Sequence, residues 1–307
     1  MVRKTAKFAQ IKEMKIWDTI SRAYAGYSNY FIDLLVDPIQ NGMLNPFYFL
    51  IAVSLFVWSL EIVWPWREKQ KIIRKDFWLD AFYMFFNYFF FNLLIFAALS
   101  STTQRLFSEL MTGVGLPTSG VFDFMSGMPQ WARVLGFFLI YDLVQWSVHN
   151  ALHRIPWMWK FHRVHHSVQE MGFAAHLRYH FMENIFYRIA LFVMLSYLLK
   201  VSLPNIAWIY AATTLIGHLN HANFKWNYGP LKYLFNSQRF HIWHHAKDIP
   251  DTHPKGMNFA ITLSIWDYLF GTNYEPFDGR DIELGFEDVE NFPQGFLEQQ
   301  IEAFRKK

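Results

Sequence analysis

One seven-residue pattern occurs twice in this chain. Lys160-Phe161-His162-Arg163-Val164-His165-His166 and Arg239-Phe240-His241-Ile242-Trp243-His244-His245 both read basic-Phe-His-x-x-His-His, and His149-x-x-x-His153 lies just upstream of the first copy. On a helix, residues three and four apart share a face about 5–6 Å from one another. Each group therefore turns two or three imidazoles toward a common point, provided that the chain around it is helical. Eight imidazoles in three such groups exceed the needs of one metal ion. A single histidine on an apolar helix is usually a packed or hydrogen-bonded core residue, but three helix-spaced groups within 100 residues are not explained by packing.

Composition places these groups on a membrane-type scaffold. Hydrophobic residues are 53% of the 307 and aromatics 20%, while charged residues are only 17%; soluble domains carry about 25% charged residues. The net charge is +3. Basic residues gather near the N-terminus, between Arg67 and Lys75, and at the last positions, a pattern of membrane-surface contacts rather than a nucleic-acid footprint. With no cysteine, disulfides, cysteine-ligated zinc, iron–sulfur clusters and thiol catalysis are excluded. Met1 to Lys7 are not followed by an apolar stretch and a small-residue cleavage site, so no cleaved leader is expected.

A membrane core of about 30 Å needs about 20 apolar residues per helical crossing. Stretches 47–64, 77–99, 131–153, 184–200 and 205–222 meet that need to varying degrees, the last two joined by the short turn Val201-Ser202-Leu203-Pro204. The expected fold is all-α: an integral membrane helical bundle with four to five transmembrane helices and a cytoplasmic histidine-rich helical cap. Residues 1–45 form a polar or amphipathic N-terminal segment, residues 46–272 the membrane domain, and residues 273–307 a polar C-terminal tail. Five Lys/Arg lie between residues 67 and 75, against Arg105 alone in the loop 100–130, so the positive-inside rule puts 66–76 in the cytoplasm. Counting crossings from there brings all the histidine groups to the cytoplasmic face, although residues 47–64 fit a re-entrant hairpin as well as a crossing.

Imidazole suits iron, zinc, copper and nickel, whereas magnesium and calcium prefer oxygen. A mononuclear iron site takes two histidines and a carboxylate, and a structural zinc site closes at four ligands. Two metal ions with four or five imidazoles each account for the number present. A carboxylate-bridged bundle is disfavoured, because no Glu-x-x-His occurs in the chain.

These motifs together resemble the fatty acid hydroxylase and sterol desaturase superfamily of integral membrane di-iron oxygenases. Arg178-Tyr179-His180-Phe181-Met182-Glu183 is similar to its Arg-x-His-x-x-Glu segment, and His221-Ala222-Asn223-Phe224 to its His-x-Asn element. Met257-Asn258-Phe259-Ala260 and Trp266-Asp267-Tyr268-Leu269-Phe270-Gly271-Thr272 resemble its closing signature. The resemblance covers roughly 130–275 and makes 46–272 a di-iron hydroxylase domain. It implies a metal set of His149, His153, His162, His165, His166, His241, His244 and His245, extended by His180 and His221. His218, one turn before His221, is either a ligand or a partner behind one; His176 and His253 are further candidates. Asp142 and Asp267 either orient an imidazole through its second N–H or serve as structural acids. Phe181 stands where the superfamily often has proline, and that departure blurs the subfamily.

The resemblance implies two iron ions as cofactor, with zinc as a substitute on purification, and an O2-dependent attack on a lipid C–H bond of the fatty acid or sterol hydroxylase type. Desaturation, or ether-lipid or carotenoid monooxygenation, are the nearest alternatives; a histidine-lined metal transporter is the alternative from another class. Without cysteine and without Gly-x-Gly-x-x-Gly, electrons must come from an external ferredoxin, cytochrome b5 or reductase. The expected partners are therefore a lipid, O2, that donor and the membrane, with no nucleic acid. The expected location is a bacterial inner membrane or the endoplasmic reticulum.

Overall fold

The computed structural model describes residues 16–40, 43–91, 127–197 and 203–305, with a few isolated positions between 109 and 115. The chain divides into two compact units, 1–48 with 88–119, and 49–87 with 120–307. Among the described residues the structure is helical, with a single two-stranded sheet, in agreement with the all-α expectation.

In the first unit, α1 (Ile16–Val36) precedes a short antiparallel hairpin of β1 (Ile39–Gln40) and β2 (Met43–Leu44), with Ile39 opposite Leu44. Proline restricts the residue before it to extended backbone and has no N–H to donate, so Asp37-Pro38 ends α1. The next helix, α2 (Pro46–Val63), starts on Asn45, whose side-chain oxygen accepts the N–H groups of Phe47 at 2.9 Å and Tyr48 at 3.1 Å. Proline suits the first helical position because its missing N–H would have had no partner there.

Helix α2 is 18 residues long with mean hydropathy 1.9, and 28% of it is buried. Among the described residues it is the one helix long and apolar enough to cross a membrane. Of the expected four to five spans, length and composition among the described residues thus give one. Helix α3 (Phe77–Phe85) has 9 residues before a π-helical turn at Phe86–Phe90, and the rest of the expected 77–99 span, from residue 92, lies outside the described residues. Helix α4 (Gln130–Arg154) is long, but Arg133, Asp142, Gln145, His149, Asn150 and His153 dilute its apolar character. Helix α6 (Phe181–Tyr197) and helix α7 (Leu203–His221) carry Glu183, Asn184 and Arg188, and Thr213, Thr214, His218 and Asn220. Residues 198–202, with most of the expected turn between them, are outside the described set.

In the second unit, α4 ends where Ile155 becomes extended, and Pro156 opens α5 (Pro156–His166). That break redirects the chain so that imidazoles of α4 and α5 face one another. Helix α8 (Gln238–His244) is capped by Ser237, whose hydroxyl accepts the Phe240 N–H at 3.3 Å. The short helices α9 (Ile265–Phe270) and α10 (Phe296–Glu302) follow. Phe137 of α4 and Ile209 of α7 form one apolar cluster with Val134, Tyr141 and Leu191. A second cluster gathers Trp66, Val168, Met171, Trp243 and Met257.

The stretch 273–305 packs into this same unit rather than standing apart from it. Leu284 is buried in the cluster around Trp243, and Phe292 is buried with Tyr83 and Val164. A buried ion network braces the unit: the Arg178 guanidinium donates to Asp76 at 2.9 Å, Asp80 at 3.0 Å and Ser167 at 2.9 Å, and Arg74 donates to Asp80 at 3.0 Å. Buried charges are tolerated when paired in this way.

Candidate metal centre

The C-terminal ends of α4 and α7, together with α5 and α8, bring nine imidazoles into one buried place. His149, His153, His162 and His244 form one group and His165, His221, His241 and His245 another; within each, one ligand atom per residue lies within 4.8 Å of the others. His166 sits at the seam. Its ring lies 4.8 Å from those of His153 and His162 and 4.7 Å from that of His244, and 4.5 Å from that of His245 in the other group.

The outward-facing nitrogens explain how these rings are held. His149 Nδ1 meets the Phe259 carbonyl at 2.7 Å, His244 Nδ1 the Met257 carbonyl at 2.8 Å and His162 Nδ1 the Glu183 carboxylate at 2.8 Å. In the second group, His165 Nδ1 meets the Arg178 carbonyl at 3.1 Å and His221 Nδ1 the Gly217 carbonyl at 2.8 Å. A carbonyl oxygen only accepts, so the four Nδ1 atoms that meet one carry the proton, whereas His162 Nδ1 carries it when Glu183, held by burial well above the usual carboxylate range, is ionised. A neutral imidazole has one N–H and one lone pair, and in the four carbonyl-bound rings the lone pair is therefore on Nε2, facing inward.

That assignment makes the inner contacts informative. His149 and His162 bring Nε2 to Nε2 at 3.1 Å, and His165 and His221 do so at 3.3 Å. In the His165–His221 contact both inward nitrogens carry lone pairs, which cannot hydrogen-bond to each other. Burial, and then the neighbouring imidazoles, hold His162, His165, His166, His241, His244 and His245 well below the usual imidazole value of 6.5, which disfavours a bridging proton. A cation between them resolves the contact. Nitrogens bound to one metal at about 2.0–2.1 Å stand about 2.9–3.4 Å apart for angles between 90° and 109°. The remaining contacts fit the same range: His166 to His244 at 3.1 Å, His241 to His221 at 3.1 Å and His245 to His241 at 3.2 Å. An all-imidazole donor set suits iron or zinc.

Four of the other candidates belong to neither group, and two of them, His180 and His253, lie apart from both. His180 engages the Gln300 carbonyl at 2.7 Å through Nε2 and the Met182 N–H at 3.0 Å through Nδ1, with its ring against Phe161 and Phe304. His253 faces Thr252 and Tyr274 in a loop. His176 and His218 pair through Nδ1 at 2.9 Å, and His218 Nε2 reaches Ser54 at 3.1 Å. That pair adjoins the second group, since the rings of His176 and His221 are 5.3 Å apart.

Neither acid touches an imidazole. Asp142 accepts the Leu263 N–H at 3.0 Å and the Trp266 indole N–H at 2.9 Å. Asp267 accepts the N–H groups of Phe259 at 2.9 Å and Ala260 at 2.8 Å, the Thr272 hydroxyl at 2.6 Å and the Trp146 indole at 3.0 Å. Through Phe259 it fixes the peptide segment that orients His149. Asn258, in the left-handed region at φ 55, stands between the two carbonyls that serve His244 and His149. Its amide donates to the Phe240 and Tyr274 carbonyls, both at 2.7 Å. Asparagine tolerates this backbone better than most residues.

A cavity of about 500 Å³ opens onto the first group and His166. Its inner wall carries His153, Trp159, His166 and His244, and its rim carries Lys247 and Glu287. Sequence reasoning quoted Glu183 and the 257–260 segment without giving them a role; helix spacing shows which residues share a face, not which distant carbonyl they meet.

Residues 134–272, which hold all thirteen histidines and both acids, match the fatty acid hydroxylase family. This segment belongs to that family. The chain is 34% identical, over 57% of its length, to an ornithine lipid hydroxylase of Rhizobium tropici, across 50% of that protein. It is 30% identical over 44% of the chain to the alkylglycerol monooxygenase of Homo sapiens, across 29% of that protein. With a very-long-chain aldehyde decarbonylase of Oryza sativa it shares 27% identity over 53% of the chain and 50% of the relative. The chain spans half or less of the length of these relatives. No solved structure matches.

Proposed function

We propose that the protein is a membrane-bound, O2-dependent di-iron oxygenase that hydroxylates a lipid C–H bond. The observation carrying this reading is the pair of four-histidine groups whose Nε2 atoms face each other at 3.1 Å and 3.3 Å while Nδ1 is turned outward. His149, His153, His162 and His244 would hold one iron and His165, His221, His241 and His245 the other, with His166 between them. Iron bound there supplies O2 activation, in which two electrons and two protons reduce one oxygen atom to water and the other enters the C–H bond. The ornithine lipid hydroxylase and alkylglycerol monooxygenase relatives support a polar lipid as substrate.

The chain's own residues orient the imidazoles, exclude water around the second group, and leave the first open to the cavity beside Trp159 and Met257. Electrons would come from an external ferredoxin, cytochrome b5 or reductase; without cysteine this chain carries no thiolate-held iron–sulfur cluster of its own. Helix α2 and the exposed Trp131, Leu135 and Leu139 on one face of α4 support the membrane setting, with the histidine groups toward the cytoplasm.

The test is anaerobic reconstitution of the detergent-purified protein with ferrous iron, followed by O2 uptake with a chemical reductant and lipid extract. Two irons per chain and lipid-dependent uptake giving a hydroxylated lipid are expected. An alkene product would move the reading to desaturation, and a protein that holds two irons yet consumes no O2 with any lipid extract would overturn it.

A further inference from the structure

The last described helix is built inside out. In α10, Gln299 and Gln300 are the buried residues, Gln299 at 0% exposure, whereas Leu297 is 70% and Ile301 55% exposed. Phe304, one turn further, is 57% exposed. Leu297 and Ile301 share one helical face at i and i+4, and Phe304 follows in the turn after the helix.

The inward polar groups are satisfied. Gln299 accepts the Tyr83 hydroxyl at 2.8 Å and donates to the Pro293 carbonyl at 2.7 Å. Gln300 accepts the Phe181 N–H at 3.0 Å and donates to the Tyr83 oxygen at 3.1 Å. Polar groups inward and apolar groups outward is the arrangement that water penalises and hydrocarbon favours.

The apolar face continues beyond α10. Phe296 packs on Phe82 at 4.9 Å, and Phe82 and Trp78, exposed at i and i+4 on α3, extend the surface on that side. On the other side Phe304 meets Phe161 at 5.5 Å, and Phe161 meets the exposed Trp157 at 6.2 Å. Exposed basic residues border it: Arg154, Lys160 and Arg305, followed in sequence by Lys306 and Lys307. The acids on α10 are Glu298 and Glu302, and Glu302 is paired with Arg305 at 3.0 Å.

From these observations we infer that Trp78, Phe82, Trp157, Leu297, Ile301 and Phe304 form an in-plane membrane contact, with α10 lying in the headgroup layer of the bilayer. Tryptophan and phenylalanine at the level of the headgroups, with lysine and arginine reaching to anionic lipid, is the pattern of an interfacial helix. A second copy docked through the same face would gather the same bases, Arg154 and Lys160, around one seam, which disfavours that occupant. The inference rests on the membrane setting proposed above but not on the oxygenase chemistry.

The absence of cysteine allows a direct test. Leu297→Cys, Ile301→Cys, Phe56→Cys on α2 and Asp251→Cys in an exposed loop are each labelled with nitrobenzoxadiazole. The full-length protein is then reconstituted in vesicles of phosphatidylcholine and phosphatidylglycerol. Labels at 297 and 301 are expected to emit to the blue of the label at 251 and to be quenched by nitroxides placed about 5–10 Å below the headgroups. The label at 56 is expected to respond to deeper nitroxides. If 297 and 301 behave like 251 while 56 is quenched, the inference fails and the membrane setting stands; if 56 also reports water, both fail. A blue shift at 297 and 301 that no lipid nitroxide quenches, and that falls on dilution into more vesicles, assigns the face to a second copy and overturns the inference.

Discussion

The Glu183 carboxyl meets His162 Nδ1 at 2.8 Å, and both side chains are buried. With Glu183 ionised, the contact places the imidazole proton on Nδ1, turns a bare Nε2 toward His149 and raises its basicity toward a metal. Loss of a partner behind a metal ligand typically costs 10–100-fold in affinity, about 1.4–2.7 kcal/mol. Glu183→Gln, which can still accept through its amide oxygen, is expected to weaken iron retention about tenfold, and Glu183→Ala to weaken it further. Iron titration against a competing chelator measures both. Equal retention by Glu183→Ala and the parent would show that His162 does not depend on this carboxylate.

Asp267 acts on the same group at one remove, through the Phe259 and Ala260 N–H groups. Asp267→Asn replaces an acceptor that takes four hydrogen bonds with one that must present an NH2 to a donor. The 257–260 segment then loosens, and with it the carbonyls that hold His149 and His244. The expected result is a preferential loss of one iron of two, seen as about one iron per chain by metal analysis at limiting iron. Equal depletion of both irons would remove this positioning role.

Much of the site was legible in the sequence because helical spacing is a local property. His149 with His153, and the two His-x-x-His-His groups, could be placed on common faces without knowing the fold. The division into two groups was not legible in that way, since it splits neighbours: His162 joins the first group and His165 the second. Glu183 and the carbonyls of Met257 and Phe259 act across long sequence separations, which no local pattern reports. His180 was drawn in by its motif, yet Gln300, 120 residues away, takes its Nε2. The number of spans was read from apolar runs, and the polar residues of α4 and α7 that serve the interior lowered their hydropathy.

His180 and His165 provide a contrast between two equally buried histidines. His165→Ala is expected to lose iron from the second group and abolish turnover. His180→Ala is expected to keep both irons, because its two nitrogens bind Gln300 and Met182 rather than the cluster. Its cost falls instead on stability, about 1–3 kcal/mol for the buried carbonyl left unpaired. Metal analysis and thermal unfolding of the two variants separate the roles, and iron loss in His180→Ala would return it to the ligand set.

Arg178 couples the ion network to the metal centre, since its side chain pairs with Asp76 and Asp80 while its carbonyl accepts from His165 Nδ1. Removing one partner of a buried pair leaves a charge uncompensated and costs about 3–5 kcal/mol. Asp80→Asn leaves both Arg74 and Arg178 short of a counter-charge. It is expected to lower the unfolding temperature of the iron-free protein and to weaken iron binding in the same variant, because the Arg178 backbone is held by that network. Asp76 is partly exposed, so Asp76→Asn is expected to have a smaller effect on both. Thermal melts with and without iron test the coupling: an Asp80→Asn protein that melts early yet binds both irons with parental affinity would show that the network supports the fold and not the imidazoles.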